Sequence, residues 1–314
     1  MTTVARRAFL TTLGAGLAAP AILRAQTRSK RHRISFSTLG CPAWTWKQVL
    51  EQADRMGYAG IEIRGVKGEM DLTKVPEFQG SRLAEAKKDL AALGLVVADL
   101  GASARMHEKD PATREQQLDE GRRFIDLAQA MGVKYVRVFG DKIPEGEPKE
   151  EVMKRVVAGF QKLTDHAKPA GVTVLIESHG DFTHSGDLEA ILTRVGSPQF
   201  ALLWDAHHTF VAGKEQPADT YARIGKWIRH THLKDSVPLP QGKKDEDRRY
   251  VLTGTGQVPV KEQVRVLAKG GYAGFYSFEW EKGWHPEIEE PEVAFPQYAK
   301  VMGGWLDELG IKLV

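Results

Sequence analysis

Short apolar runs rich in β-branched residues alternate along this chain with longer stretches whose apolar positions recur every three to four residues. From Arg33 onward the runs are RISFSTL (33–39), AGIEIR (59–64), GLVVADLG (94–101), KYVRVFG (134–140), VTVLIES (172–178), FALLWDA (200–206), WIRHTHLKD (227–235) and GFYSFEWE (274–281). Most are continuously apolar, which predicts strands covered on both faces, as in a parallel sheet. Between them Leu188, Ile191, Leu192 and Val195 fall at i, i+3, i+4 and i+7, and Val152, Val156, Val157, Phe160 and Leu163 repeat the pattern, predicting helices that bury one stripe. Met56-Gly57, Leu93-Gly94, Met131-Gly132 and Ala170-Gly171 place glycine where such helices end and the next strand begins.

Eight strand-helix units predict an α/β fold and, within it, a single-domain (β/α)₈ TIM barrel over residues 33–314. An open doubly wound sheet would call for a glycine-rich phosphate turn after the first strand, and STLGCPAW (37–44) is not one. No linker or low-complexity segment divides the chain further.

The first residues follow another pattern. Arg6 and Arg7 precede a mildly apolar TTLGAGLAAPAIL (11–23) that ends near Ala25, and no acidic residue occurs before Glu51. Residues 1–25 therefore read as a twin-arginine export signal, with 26–32 as a short linker, and imply delivery to the periplasm. Removing them takes away Arg6, Arg7 and Arg24 and leaves 41 basic against 41 acidic residues. That balance gives no electrostatic case for nucleic acid or an anionic membrane as partner. No stretch approaches the roughly 20 apolar residues of a membrane span. The lone Cys41 forms no internal disulfide, which suits folding in a reducing compartment before export. Oligomeric state is open, and a homo-oligomer is compatible with the sequence.

In a barrel of this kind function collects where strands end and the following loops begin. Strand five stops at Glu177, strand six at Asp205, strand seven carries His230 and His232, and strand eight carries Glu279 and Glu281. One such residue alone is usually solvated, a helix cap or a satisfied core group. Gathered on one rim, three carboxylates repel and cost several kcal/mol to desolvate without a counter-charge, and a divalent cation supplies it. Three carboxylates and one imidazole make a mostly hard site for Mn²⁺ first, with Mg²⁺, Co²⁺ or Zn²⁺ as alternatives. Alternation places both histidines on one face and both glutamates on one face, so spacing admits either member of each pair.

At these residues the chain resembles the xylose isomerase-like barrel family of sugar phosphate isomerases and epimerases. The resemblance is carried in order by GYAGIEI (57–63), ESHGDFT (177–183), LLWDAHHT (202–209), HTHLKD (230–235) and GTGQVPVKEQVRVLAKGGYAGFYSFEWE (254–281). It implies Glu177, Asp205, His232 and Glu279 as ligands of one metal ion, with His230 and Glu281 as second choices. It also implies that His208 binds substrate oxygens and that His179 and Lys234 line the pocket. Trp44, and Trp284 with His285, are candidates for stacking on a sugar ring or for covering the barrel mouth. The resemblance implies a metal-dependent sugar isomerase or epimerase in which Glu177 and Glu279 take and return a proton beside a carbonyl.

Three other readings compete. An exported chain meets free or oxidised sugars and glycosides rather than phosphorylated ones, which raises a 3-keto-glycoside lyase or hydratase using the same chemistry. A nuclease like endonuclease IV would need added histidines after strands two and three, where the chain reads EIRG (62–65) and DLGA (99–102). A non-catalytic sugar-binding protein would be expected to have lost at least one of the four ligand types.

Overall fold

The computed structural model describes residues 30–240 and 247–314. Its strands are β1 (Ile34–Ser37), β2 (Gly60–Ile63), β3 (Val96–Arg105), β4 (Tyr135–Phe139), β5 (Thr173–Glu177), β6 (Phe200–Asp205), β7 (Ile228–His232), β8 (Asp235–Pro238), β9 (Arg248–Val251) and β10 (Tyr276–Phe278). The helices are α1 (Trp46–Arg55), α2 (Gly80–Leu93), α3 (Pro111–Met131), α4 (Lys149–Ala170), α5 (Ser185–Val195), α6 (Ala206–Val211), α7 (Pro217–Ile224), α8 (Val260–Lys269) and α9 (Pro291–Glu308). Strands β1 to β7 and β10 form one parallel sheet in the order β10-β1-β2-β3-β4-β5-β6-β7, with helices between them. This is a single-domain (β/α)₈ barrel. The segment read as an export signal lies outside the described residues.

Alternation along each strand separates two environments. Val136, Val138, Val174, Ile176, Leu202 and Trp204 are buried in the large core shared with the helices. The intervening positions face the lumen, where Leu175, Ala201 and Leu203 pack with Tyr135 as a small separate apolar cluster. The same inward rows continue into charge: Arg137 is paired in register with Leu175, Glu177 with Leu203, and Asp205 with His232. Gly94, Gly132 and Gly171 follow α2, α3 and α4 in the left-handed conformation that the sequence predicts, with φ of 62°, 77° and 67°.

Three elements differ from the sequence expectation. The run 227–235 divides: β7 stops at His232, and Asp235 begins β8, which pairs antiparallel with β9 outside the barrel. Asp235 anchors that hairpin by accepting backbone N–H groups from Ser236, Gly254, Gly256 and Val258 at 2.8, 2.9, 2.8 and 3.1 Å. The run 274–281 keeps only three ladder residues, because Glu279 and Glu281 turn to Lys234. After β6 two helices, α6 and α7, stand where one is expected.

The barrel closes at a thin seam. Between β7 and β10 the ladder is reduced to the bridge Leu233–Phe278, with Leu233 N donating to Ser277 O at 2.9 Å. The Thr231 hydroxyl supplements it, donating to Phe275 O at 3.0 Å and accepting from Ser277 N at 3.4 Å. Thr231→Val keeps the shape but takes the hydroxyl acceptor from Ser277 N, while Phe275 O keeps the Tyr272 hydroxyl at 3.0 Å, so it should cost about 1–3 kcal/mol in urea unfolding; an unchanged midpoint would show that the seam does not depend on the Thr231 hydroxyl.

Candidate metal centre

Glu177 ends β5, Asp205 ends β6, His232 ends β7 and Glu279 follows β10, so four neighbouring walls deliver one side chain each to the C-terminal mouth of the lumen. One ligand-type atom from each lies within 4.8 Å of all the others. His232 Nδ1 stands 3.5 Å from Glu177 Oε1, 3.9 Å from Asp205 Oδ2 and 3.2 Å from Glu279 Oε2. All four residues are buried, Glu279 being the most exposed at 5%. Asp205 serves two purposes: its Oδ1 accepts from His208 N at 2.9 Å as the N-cap of α6, while Oδ2 faces the cluster. Ser178 fixes that strand end by accepting from Asp205 N at 2.8 Å and donating to Asp205 O at 3.1 Å.

Behind these residues lies a second tier of charge. Arg137 Nε approaches Glu177 Oε2 to 3.0 Å. Lys234 Nζ sits 2.8 Å from Asp205 Oδ2, donates to Glu281 Oε1 at 2.6 Å and also contacts Glu279 Oε2. Glu62 Oε2 accepts from His232 Nε2 at 2.6 Å and from His230 Nε2 at 2.9 Å. Burial pushes the Asp205 carboxyl up to about 7 against the pull of Lys234. Burial acts on Glu177 and Glu279 as well, but Arg137 and His232 hold Glu177 below the usual carboxylate range, and His232 and Lys234 hold Glu279 well below it. Burial opposes a charge on His232, yet Glu279, Glu62 and Glu177 together raise it well above an ordinary imidazole. Asp99 is raised strongly by burial and then by the neighbouring Glu62 charge.

Buried Glu62, Asp99, Glu177, Asp205, Glu279 and Glu281 face Arg64, Arg137 and Lys234 as the permanent cations of the region. Among the described residues buried His232 Nδ1, which faces the cluster, has no hydrogen-bond partner, and Asp205 Oδ2 and Glu177 Oε2 have none beyond their ion pairs with Lys234 and Arg137. More buried carboxylates than permanent cations leave an excess of acceptors that costs free energy unless something further and positive engages it. The donor set and this excess fit a divalent cation.

Of the other expected pocket residues, His208 joins the cluster, its Nε2 being 3.3 Å from Asp205 Oδ2 and 3.5 Å from Lys234 Nζ. Burial, then Lys234, depresses its pKa far below the ordinary value. His179 lies beside it with ring centroids 5.2 Å apart and bonds Asp141 Oδ1 at 3.2 Å. Lys234 pairs inward with Asp205, Glu279 and Glu281. Trp44 is buried against Phe295 and bonds Glu292, whereas Trp284 is 58% exposed; among the described residues neither ring has a hydrogen bond or ring contact with the four-residue cluster. Glu62, Asp99 and Arg137 were not singled out in the sequence. Their signal is a lone charge inside an apolar strand, in GIEI, VADLG and YVRVF. Tyr250, whose ring lies 5.7 Å from Lys234 Nζ and packs against His207 and His285, comes from the unforeseen hairpin.

A family model described as xylose isomerase-like TIM barrel matches residues 50–302. The chain is 28% identical over 236 residues to an inosose isomerase of Halalkalibacterium halodurans, covering 73% of this chain and 80% of that protein. It is 22% identical over 244 residues to a fructoselysine 3-epimerase of Shigella flexneri, covering 74% and 84%. Among solved structures, the IOLI protein with a binding zinc atom superposes with a TM-score of 0.68 at 21% identity, covering 90% of this chain and 99% of that one. With its eight-stranded barrel and a family match running from α1 into α9, the chain belongs to the xylose isomerase-like TIM barrel family.

Proposed function

We propose that this protein is a divalent-metal-dependent isomerase or epimerase of a sugar or sugar derivative, with Glu177, Asp205, His232 and Glu279 holding the ion. The observation that carries this reading is the convergence of four ligand atoms within 4.8 Å, with the buried His232 Nδ1 among them lacking a hydrogen-bond partner among the described residues. The sugar isomerase and epimerase among its relatives support the substrate class.

Removing a proton beside a carbonyl opposes a carboxylate base to a carbon acid a dozen or more pKa units weaker, at about 1.4 kcal/mol per unit. A bound divalent ion, Mn²⁺ first among the candidates, supplies Lewis-acid stabilisation of the negative charge that develops on oxygen. The chain's own residues move the proton. Glu177 and Glu279 are both held as carboxylates by their cationic neighbours, and they approach from different walls, so one takes the proton and the other returns it. Return to the opposite face inverts a centre, and return to the adjacent carbon isomerises. Lys234 and His208 stand beside Asp205 and supply donors for substrate oxygens, with His179 next to them. Trp44 and Trp284 complete the mouth in this reading. Residues 1–25, read as the export signal, would place the mature chain among free sugars in the periplasm.

The deciding experiment incubates metal-loaded protein in D₂O with free ketoses, aldoses and 3-keto-glycosides and follows the sugars by NMR. Deuterium beside the carbonyl with the skeleton retained is expected. Release of an aglycone would replace the proposal with the lyase reading, and no exchange across the panel would sink both. Glu177→Gln and Glu279→Gln should each lower kcat by on the order of 10²–10⁴, the usual worth of a proton-transfer group. Glu281→Gln, by contrast, should keep metal affinity.

Metal affinity should also rise with pH. His232 carries a raised pKa, so an ion must displace its proton, and the logarithm of the association constant should climb by about one per pH unit. Below about pH 7, where Asp205 also holds a proton, the slope should steepen. Calorimetry in buffers of different ionisation enthalpy counts the protons released; a pH-independent affinity would remove His232 from the ligand set.

A further inference from the structure

We propose that Glu62 is a positioning residue which, shared between two histidines, fixes His232 as the Nε2–H tautomer and so dedicates its Nδ1 to the metal. The inference rests on the metal reading above.

Glu62 lies on β2 and His232 on β7, with β1 and β10 between them in the sheet, so the contact spans the lumen rather than a ladder. Glu62, His230 and His232 are all at most 1% exposed, and the Glu62 oxygen that the two rings share accepts from both of them. An ionised carboxylate only accepts, so both Nε2 atoms must donate. Once the ion displaces the second proton of the ring, an imidazole that donates through Nε2 offers its lone pair on Nδ1. That atom is the one facing Glu279, Glu177 and Asp205 at 3.2, 3.5 and 3.9 Å, and among the described residues it has no hydrogen-bond partner. Among the described residues Glu62 Oε1 has no hydrogen-bond partner, so the hydrogen bonds that orient the carboxylate are those of the two imidazoles. His230 therefore pins Glu62, and Glu62 in turn pins His232. The same arrangement argues against a second ion held by Glu62, His230 and His232, although these three also cluster, because an ion there would need the lone pairs that their protons occupy.

The test uses the full ¹⁵N-labelled protein and zinc, which is diamagnetic. Long-range ¹H–¹⁵N correlation of the zinc-loaded wild type should show one zinc per chain, with the His232 ring protonated at Nε2 and its Nδ1 shifted by the metal. Zinc on Nε2, or two zinc ions per chain, overturns the proposal while leaving a metal site in place. Wild type that takes no zinc overturns the metal reading and this one with it. Glu62→Gln should raise the zinc Kd by about 10–100-fold, the usual effect of losing such a support, with His230→Asn giving a smaller rise. Thermal unfolding of the metal-free variants checks that they fold, and an unchanged Kd in folded Glu62→Gln overturns the assignment. Should that variant not fold, the wild-type spectrum alone decides.

Discussion

A carboxylate enclosed by a β-barrel has nowhere to disperse its charge, and this lumen encloses several. Glu62, Asp99, Glu177, Asp205 and Glu279 are all nearly or wholly shut off from solvent. Each must be neutralised, protonated or paired. The structure uses all three routes: Arg137 and Lys234 provide fixed charge, Asp99 is driven toward its neutral acid, and His232 is driven toward its cation. Even so, the enclosed carboxylates outnumber the fixed cations, and among the described residues His232 Nδ1 has no hydrogen-bond partner at the C-terminal mouth. The arrangement of the site follows from that imbalance, because a group of negative side chains that its own cations only partly satisfy is a place prepared for a further positive charge.

Holding such a group together requires backbone that does not yield. Ser178 ties the end of β5 to the end of β6, and Asp205 caps α6 with one oxygen while presenting the other to the cluster. Past β7 the chain turns into the β8–β9 hairpin, whose base is fastened by four backbone N–H groups on Asp235. Gly256 belongs to that fastening, since a Cβ there would stand 2.2 Å from Asp235 Oδ1. Lys234, one residue before the anchor, is thereby held inward toward Asp205, Glu279 and Glu281.

Much of this was legible in the chain, for identifiable reasons. Strands covered on both faces announce themselves as apolar runs, so β1 to β7 and the barrel followed from pattern. The four clustered residues stood out as ligand types at successive strand ends. The choice between His230 and His232, and between Glu279 and Glu281, was not legible from alternation, because both members of each pair share a face. They differ in depth: two residues are about 6.6 Å along a strand, so both histidines reach Glu62 but His232 also presents Nδ1 to the cluster at the mouth. The resemblance supplied the choice that spacing left open. Glu62 and Arg137 were passed over because a single charge in a strand ordinarily marks a solvent face, and only closure of the barrel turns that face inward. The hairpin was hidden inside a run that reads as one strand until Asp235 finds its four N–H partners.

The separation of outward and inward rows has a consequence for how such a protein can change. Outward positions such as Val138, Ile176 and Trp204 knit the barrel to its helices, whereas the inward positions beside them, Arg137, Glu177 and Asp205, mostly answer to one another. Alternate letters of a single strand are therefore under different constraints. The wall can hold its shape while the inner rows are rewritten, provided each rewriting leaves the enclosed charges balanced. A novel activity in this scaffold then becomes a problem of keeping an electrostatic sum, solved a few residues at a time, with little demand on the packing that keeps the molecule folded.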